Sequence, residues 1–301
     1  MTLLIHPGLH KTGTTWLQER VFTDQRIFNN LMTHEEIFDT FVRPHDFDFD
    51  PQAAQSFLEA RRARGATGKV DVVSSETLCG NPLTGQRESL SIADRLVKIT
   101  GQAKILITVR NQVATMKASY IQYVKRGGRK SVAQYLRFKP EPGYYFFDKK
   151  QLAYTPFVEH YAGLYGASNV LVLAQEALAR YPDRYFSELI TFATGKAPEP
   201  GIGLPDRSRV GASPPVSGLP LLRFSSHFRR GPLNDDPILP WEWIGSTLAG
   251  AAYRWTLGEK RASMELDLAM RAASTGLYGQ SNRALQRYCP FDLEELGYEM
   301  A

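Results

Sequence analysis

Apolar positions along this chain follow two periods. Short, nearly continuous runs stand at residues 2 to 6 (TLLIH), 70 to 73 (VDVV), 104 to 109 (KILITV) and 169 to 173 (NVLVL), with the length and composition of strands buried on both faces. Between them the spacing changes to that of helices. Ile92, Leu96 and Ile99 predict a helix over 89–99, and Val113, Met116, Tyr120 and Val124 predict another over 112–125. Asp50 followed by Pro51 is an N-cap and first-turn pair, and Ala54, Phe57 and Leu58 give the helix it opens an apolar face. A helix over 149–165 carries Pro156, which predicts a kink or a boundary there, and Pro182 opens one over 182–193.

Strand and helix therefore alternate through the first two-thirds of the chain, which predicts an α/β fold with a doubly wound, parallel central sheet flanked by helices. Residues 194–240 are rich in Gly, Pro, Ser and Arg and are expected to form an irregular loop or a substrate-covering insertion. Helical patterns return at 242–257 and 262–273. No composition break asks for a second folding unit, so 1–301 is expected to be a single domain, and 43% apolar residues suffice for its core.

Charge adds one constraint. Lys and Arg total 36 against 31 Asp and Glu, a formal net charge of +5, which suits an anionic partner without requiring a nucleic-acid surface. No apolar run reaches membrane-spanning length and the start MTLLIHPG lacks the basic segment of a secretory leader, so a soluble cytoplasmic protein is expected. Cys79 and Cys289 are expected to be free thiols. The histidines show no spacing that specifies a metal site, and no metal is expected.

The most informative stretch is IHPGLHKTGTTWLQ, residues 5 to 18, which sets glycines, Lys11 and paired threonines between the first strand and a helix beginning near Thr14. Such a junction can cradle a phosphate-like group with backbone N–H donors and a lysine charge. The order G-x-x-x-x-G-K-[ST] is absent, since Lys11 precedes Gly13 and Thr14, and this disfavours an ordinary ATP-hydrolysing loop. Glu76 lies just beyond the VDVV strand, where open α/β sheets place ligands, and a carboxylate there can take a proton from an attacking hydroxyl. His10 is a competing acid–base candidate within the loop itself, while His6 reads as a strand-end residue. Ser74 and Ser75 read as turn, cap or site-shaping hydroxyls.

With VVSSE at 72 to 76 and ITVRNQ at 107 to 112, this loop resembles that of the sulfotransferases that use 3′-phosphoadenosine 5′-phosphosulfate. GQSNRAL and DLEELGY near the end resemble the C-terminal portion of bacterial members. The resemblance implies a P-loop-like sulfotransferase fold and transfer of a sulfuryl group from that nucleotide, a consumed co-substrate, to a hydroxyl or, less often, an amine. Carbohydrates, lipid-linked sugars and small metabolites are the implied acceptors. On the same resemblance Lys11 stands beside the bridging oxygen, Gly8 and Gly13 allow close backbone approach, and Thr12, Thr14 and Thr15 donate to the 5′-phosphosulfate. Glu76 is the general base, and Arg110 matches the arginine that binds the 3′-phosphate. The serine common eight residues later is replaced by Ala118, with Ser119 one position beyond, so Ser119 serves only if the helix begins or bends differently. The arginine-lysine-glycine loop common in cytosolic members has no recognisable copy here.

Other groups read less sharply. KRGGRK at 125 to 130 with Arg207, Arg209, Arg229 and Arg230 can surround a phosphate or form a solvated face, and Arg283 has the same two readings. Tyr144 to Phe147 can line an acceptor cleft or pack on the core. Two other functions fit the loop: a divergent nucleotide-dependent kinase, and a non-catalytic protein that binds an anion or nucleotide.

Overall fold

The computed structural model describes residues 2–139, 141–206 and 213–300. They form two compact units, one built from residues 1–111, 150–210 and 276–301 and the other from 112–149 and 211–275.

The first unit holds the expected parallel sheet. Its strands are β1 (Leu3–His6), β2 (Phe28–Asn30), β3 (Val70–Ser74), β4 (Lys104–Val109) and β5 (Val170–Ala174), in the order β2-β3-β1-β4-β5. Every pairing is parallel, with His6 opposite Ser74 and Val109 opposite Ala174. The apolar runs are buried on both faces, Leu4, Ile5, Val72, Ile105, Leu106, Ile107, Val172 and Leu173 among them. This is why they read as continuous and not alternating. Helices Ser89–Thr100, Thr155–Tyr165 and Pro182–Thr194 cover the sheet, burying Ile92, Leu96, Ile99, Val158, Tyr161, Leu189 and Ile190. Pro156 marks a boundary: a 3-10 turn, Lys149–Leu152, precedes the helix, and the proline falls in its first turn. Asp50 caps helix Pro51–Arg62 by accepting from the N–H groups of Gln52 and Ala53.

Asp71 is the polar interruption in VDVV, and it is fully buried. It accepts from Arg62 Nε at 3.0 Å and Asn29 Nδ2 at 3.1 Å, which ties the helix and the edge strand β2 to β3. A buried carboxylate held this way is compensated; removal of either partner would leave it exposed to the desolvation cost.

Strand order positions the site. The chain leaves β1 toward the β2 edge and leaves β3 toward β4 on the far side of β1, so successive loops diverge at the carboxyl edge and open a crevice there.

The second unit is helical, with Gln112–Lys125, Val132–Arg137, Leu219–Ser225, Glu242–Arg254 and Glu259–Ser274. Lys117 joins the first and last of these through Ser263 Oγ at 2.8 Å and Asp267 Oδ1 at 2.9 Å. Helix Leu219–Ser225 narrows the stretch expected to be irregular: Pro220 falls in its first turn, where proline is tolerated, and Leu219 and Leu222 are buried. Val132–Arg137 carries a capping box between Ser131 and Gln134.

Candidate active site

The loop leaving β1 holds two residues in left-handed backbone, Lys11 (φ 68°) and Gly13 (φ 92°), on either side of Thr12. Alternation of hand aims successive N–H groups into one concavity, the nest that binds anions. A lysine is costly in that conformation, and strained residues of this kind collect at ligand sites. Gly13 opens the helical turn Thr14–Trp16, and no side chain caps it. Gly8 is needed for space: a Cβ there would stand 2.0 Å from Thr14 Cγ2 and 2.9 Å from His6 Cε1. Thr14 is buried and Thr15 exposed.

Beneath the loop runs a buried polar row. His6 Nδ1 lies 2.8 Å from Ser74 Oγ and His6 Nε2 3.3 Å from Thr108 Oγ1. Thr108 Oγ1 is 2.7 Å from Thr12 Oγ1, which donates to the Leu9 carbonyl at 2.6 Å. His6 is thus no ordinary strand-end residue, because it bridges β3, β1 and β4. The Thr12 hydroxyl, expected to donate to a ligand, is turned into the protein, so the anion donor left at Thr12 is its backbone.

Complete burial pushes the His6 pKa from 6.5 down to about 3, against a smaller upward pull from Glu76. As pH falls, the unfolded chain takes up a proton that native His6 refuses. The stabilisation is full above pH 6.5 and is lost progressively toward pH 3. Each pH unit in that window costs ~1.4 kcal/mol. Between pH 7 and pH 5 the unfolding free energy is therefore expected to drop by ~2 kcal/mol, read by urea titration. A His6→Gln variant with the same slope would show that His6 is not its source.

Glu76 begins a 3-10 turn, Glu76–Cys79, directly after β3, and Ser75 caps that turn by accepting from Thr77 N–H. Gln18 Nε2 lies 3.4 Å from Glu76 Oε2, and His34 Nδ1 3.8 Å from the same oxygen. Burial acts to raise the Glu76 pKa, but its own backbone N–H, His34, His10 and Gln18 outweigh it and leave the carboxyl below its ordinary 4.5. The result is an anionic carboxylate at neutral pH, the state a general base requires. His10 donates from Nε2 to the Gly80 carbonyl at 3.0 Å. Burial lowers its pKa, Glu76 pulls it up, and Lys11 and His34 push it down. Lys11, His10, His34 and Glu76 thus occupy one electrostatic neighbourhood, assembled from the loops after β1 and β3 and the start of the short helix His34–Ile37.

Arg110 follows β4 and donates from Nη1 to the Lys11 carbonyl at 3.3 Å, while its own carbonyl accepts from Tyr154 Oη at 2.7 Å. The guanidinium therefore stands beside the loop, with its base fixed by a buried tyrosine. Glu176, just past β5, accepts from Asn111 N–H at 3.0 Å and Tyr298 Oη at 3.0 Å and secures the same edge. Ser119 belongs to the second unit, on the buried stripe of Gln112–Lys125 with Met116 and Tyr123, and that helix runs unbroken.

Sequence reading missed Gln18 and His34. Neither carries a local signal; Gln18 reaches across 58 residues to Glu76, and His34 across 42. The four aromatics divide, Tyr144 and Tyr145 being exposed and Phe147 buried against Tyr135. In the KRGGRK cluster Lys130 sits over the Phe138 ring at 4.0 Å. Arg283 donates to the Met300 carbonyl. Arg207 and Arg209 lie outside the described residues. Cys79 and Cys289 are free and buried, and burial raises both thiol pKa values. Among the described residues no helix is long and apolar enough to cross a membrane.

No protein-family model matches the chain, and no curated protein does. Among solved structures it is similar to a sulfotransferase from Alicyclobacillus acidocaldarius, at 18% identity and TM-score 0.48, with 84% of this chain and 96% of that chain covered. It is also similar to the sulfotransferase domain from the curacin biosynthetic pathway, at 14% identity and TM-score 0.39, covering 100% of this chain and 98% of the other. A third is the sulfotransferase domain of the Synechococcus PCC 7002 olefin synthase, at 14% identity and TM-score 0.36, with 83% and 93% covered.

Proposed function

We propose that this chain is a sulfotransferase that moves a sulfuryl group from 3′-phosphoadenosine 5′-phosphosulfate to an acceptor hydroxyl. One observation carries the reading: an anion nest bearing Lys11 sits at the carboxyl edge of the central strand, with Arg110 on one side and an ionised Glu76 on the other. Two separated cationic groups suit a donor with phosphates at both ends, and the carboxylate suits an acceptor proton. The lack of a Cβ at Gly8 lets the floor of the loop pack tightly against Thr14 and His6.

In this reading the acceptor oxygen forms a bond to sulfur as the bond from sulfur to the bridging phosphate oxygen breaks. Adenosine 3′,5′-bisphosphate leaves with the bonding electron pair, and the acceptor proton passes to Glu76. Lys11 and the N–H groups of residues 12 to 15 hold the 5′-phosphosulfate and balance charge on the leaving oxygen. Arg110 takes the 3′-phosphate through directed N–H bonds. His10, fixed through Gly80, lines the loop near Glu76. A carbohydrate or small metabolite is the acceptor. Because nucleophile and leaving group must stand in line through sulfur, placement supplies much of the rate.

Calorimetry tests the donor half. Adenosine 3′,5′-bisphosphate is expected to bind the wild type at least about tenfold more tightly than AMP, and Lys11→Ala to weaken it by about tenfold or more. Equal affinity for the two nucleotides, or a Lys11→Ala variant that binds like the wild type, would remove the donor assignment.

A further inference from the structure

The polar row under the loop has only one consistent direction of donation. Thr12 spends its hydroxyl hydrogen on the Leu9 carbonyl, so at 2.7 Å the hydrogen between the two threonines comes from Thr108. With that hydrogen spent, Thr108 Oγ1 accepts from His6, which places the imidazole hydrogen on Nε2. A neutral ring then has only an acceptor at Nδ1, and Ser74 Oγ donates to it at 2.8 Å. Gln18 Nε2 lies 3.3 Å from both Ser74 Oγ and the Ser74 carbonyl and 3.4 Å from Glu76 Oε2, so its two N–H groups are shared between Ser74 and Glu76. The row is therefore a one-way chain through Gln18, Ser74, His6, Thr108 and Thr12 to Leu9. One end touches the proposed general base, and the other closes the loop that bears Lys11.

We propose that His6 is a positioning residue: a neutral imidazole, hydrogen on Nε2, that sets the anion loop through Thr108 and Thr12 and the Glu76 carboxylate through Ser74 and Gln18. This rests on the sulfotransferase reading for its chemical meaning, though the chain itself is a property of the fold. Burial supports the neutral ring, since the His6 pKa falls to about 3. The two halves of the chain carry different duties, so they separate on mutation. A His6→Gln side chain can place an amide N–H where Nε2 stands but nothing that accepts where Nδ1 stands. A His6→Asn side chain does the reverse.

The decisive experiment pairs these variants with ¹⁵N NMR of the wild-type ring. The wild type is expected to show the Nε2–H tautomer, with no titration between about pH 5 and pH 9. His6→Gln is expected to keep adenosine 3′,5′-bisphosphate affinity within about threefold and to lose turnover by about tenfold, as the Glu76 side loosens. His6→Asn is expected to lose affinity by about tenfold, as the loop side loosens. An Nδ1–H tautomer, a ring that titrates in that range, or variants whose affinity and turnover fall together in proportion to lost thermal stability would overturn the proposal. A wild type that binds no bisphosphate overturns the sulfotransferase reading and the functional role together, and the tautomer measurement still decides the chain.

Discussion

Glu76→Gln is expected to cut turnover by about 10²–10⁴-fold while adenosine 3′,5′-bisphosphate affinity stays within about threefold of the wild type. The amide keeps the shape of the carboxylate and can still meet Gln18, which sits 3.4 Å from Oε2, so the site should stay assembled. What it loses is the capacity to take a proton. The rate profile adds a second reading of the same group. Glu76 is held below 4.5, so the acid limb of kcat/KM should fall below pH 4.5 in the wild type. Destabilisation linked to His6 begins nearer pH 6.5, so each rate must be divided by the folded fraction at its pH. Unchanged turnover in Glu76→Gln would move the base elsewhere, and His10 is the next group to test, because its Nε2 is committed to Gly80 and only Nδ1 remains to accept. A variant that binds the bisphosphate and never had an acceptor reaction to lose would favour the non-catalytic binding protein.

The parts of this site that could be read from the chain are those encoded by local pattern. The buried runs marked four of the five strands, and the ends of β1, β3 and β4 located the Lys11 loop, Glu76 and Arg110, because parallel sheets place such ends on one edge. β2 escaped because Phe28, Asn29 and Asn30 run from buried to exposed over only three residues. Its membership comes from pairing with β3 and from the bond between Asn29 and Asp71, neither of which has a local signature. His6 escaped for a related reason. A histidine at a strand end is an ordinary observation until strand order sets Ser74 on one side of it and Thr108 on the other. Thr12, Thr14 and Thr15 looked alike in sequence, yet one is turned inward, one is buried and one is exposed, a difference set by the left-handed residues at 11 and 13.

Gly8 and Gly13 also look alike in sequence, and their substitution should fail in different ways. Gly8→Ala puts a methyl 2.0 Å from Thr14 Cγ2 and 2.9 Å from His6 Cε1, a collision that forces the loop off the buried row. The expected loss is ~1–3 kcal/mol of stability, as for other overpacked sites. Bisphosphate affinity should fall by about tenfold or more with it, because the residue that must move opens the helical turn of the loop. At Gly13 there is room, with the nearest atom, Gln175 Nε2, at 3.5 Å, but φ of 92° is costly for any residue with a Cβ. Removal of the obstructing methyl separates the two causes. Thr14→Ser deletes Cγ2, so the Gly8→Ala/Thr14→Ser pair should regain part of the stability lost by Gly8→Ala alone, a coupling of about 1 kcal/mol in a double-mutant cycle. The same serine should do nothing for Gly13→Ala, whose penalty lies in the backbone. Simple additivity at Gly8 and Thr14 would mean that the loop absorbs the methyl by moving as a unit, and the tight floor assigned to the anion nest would then be wrong.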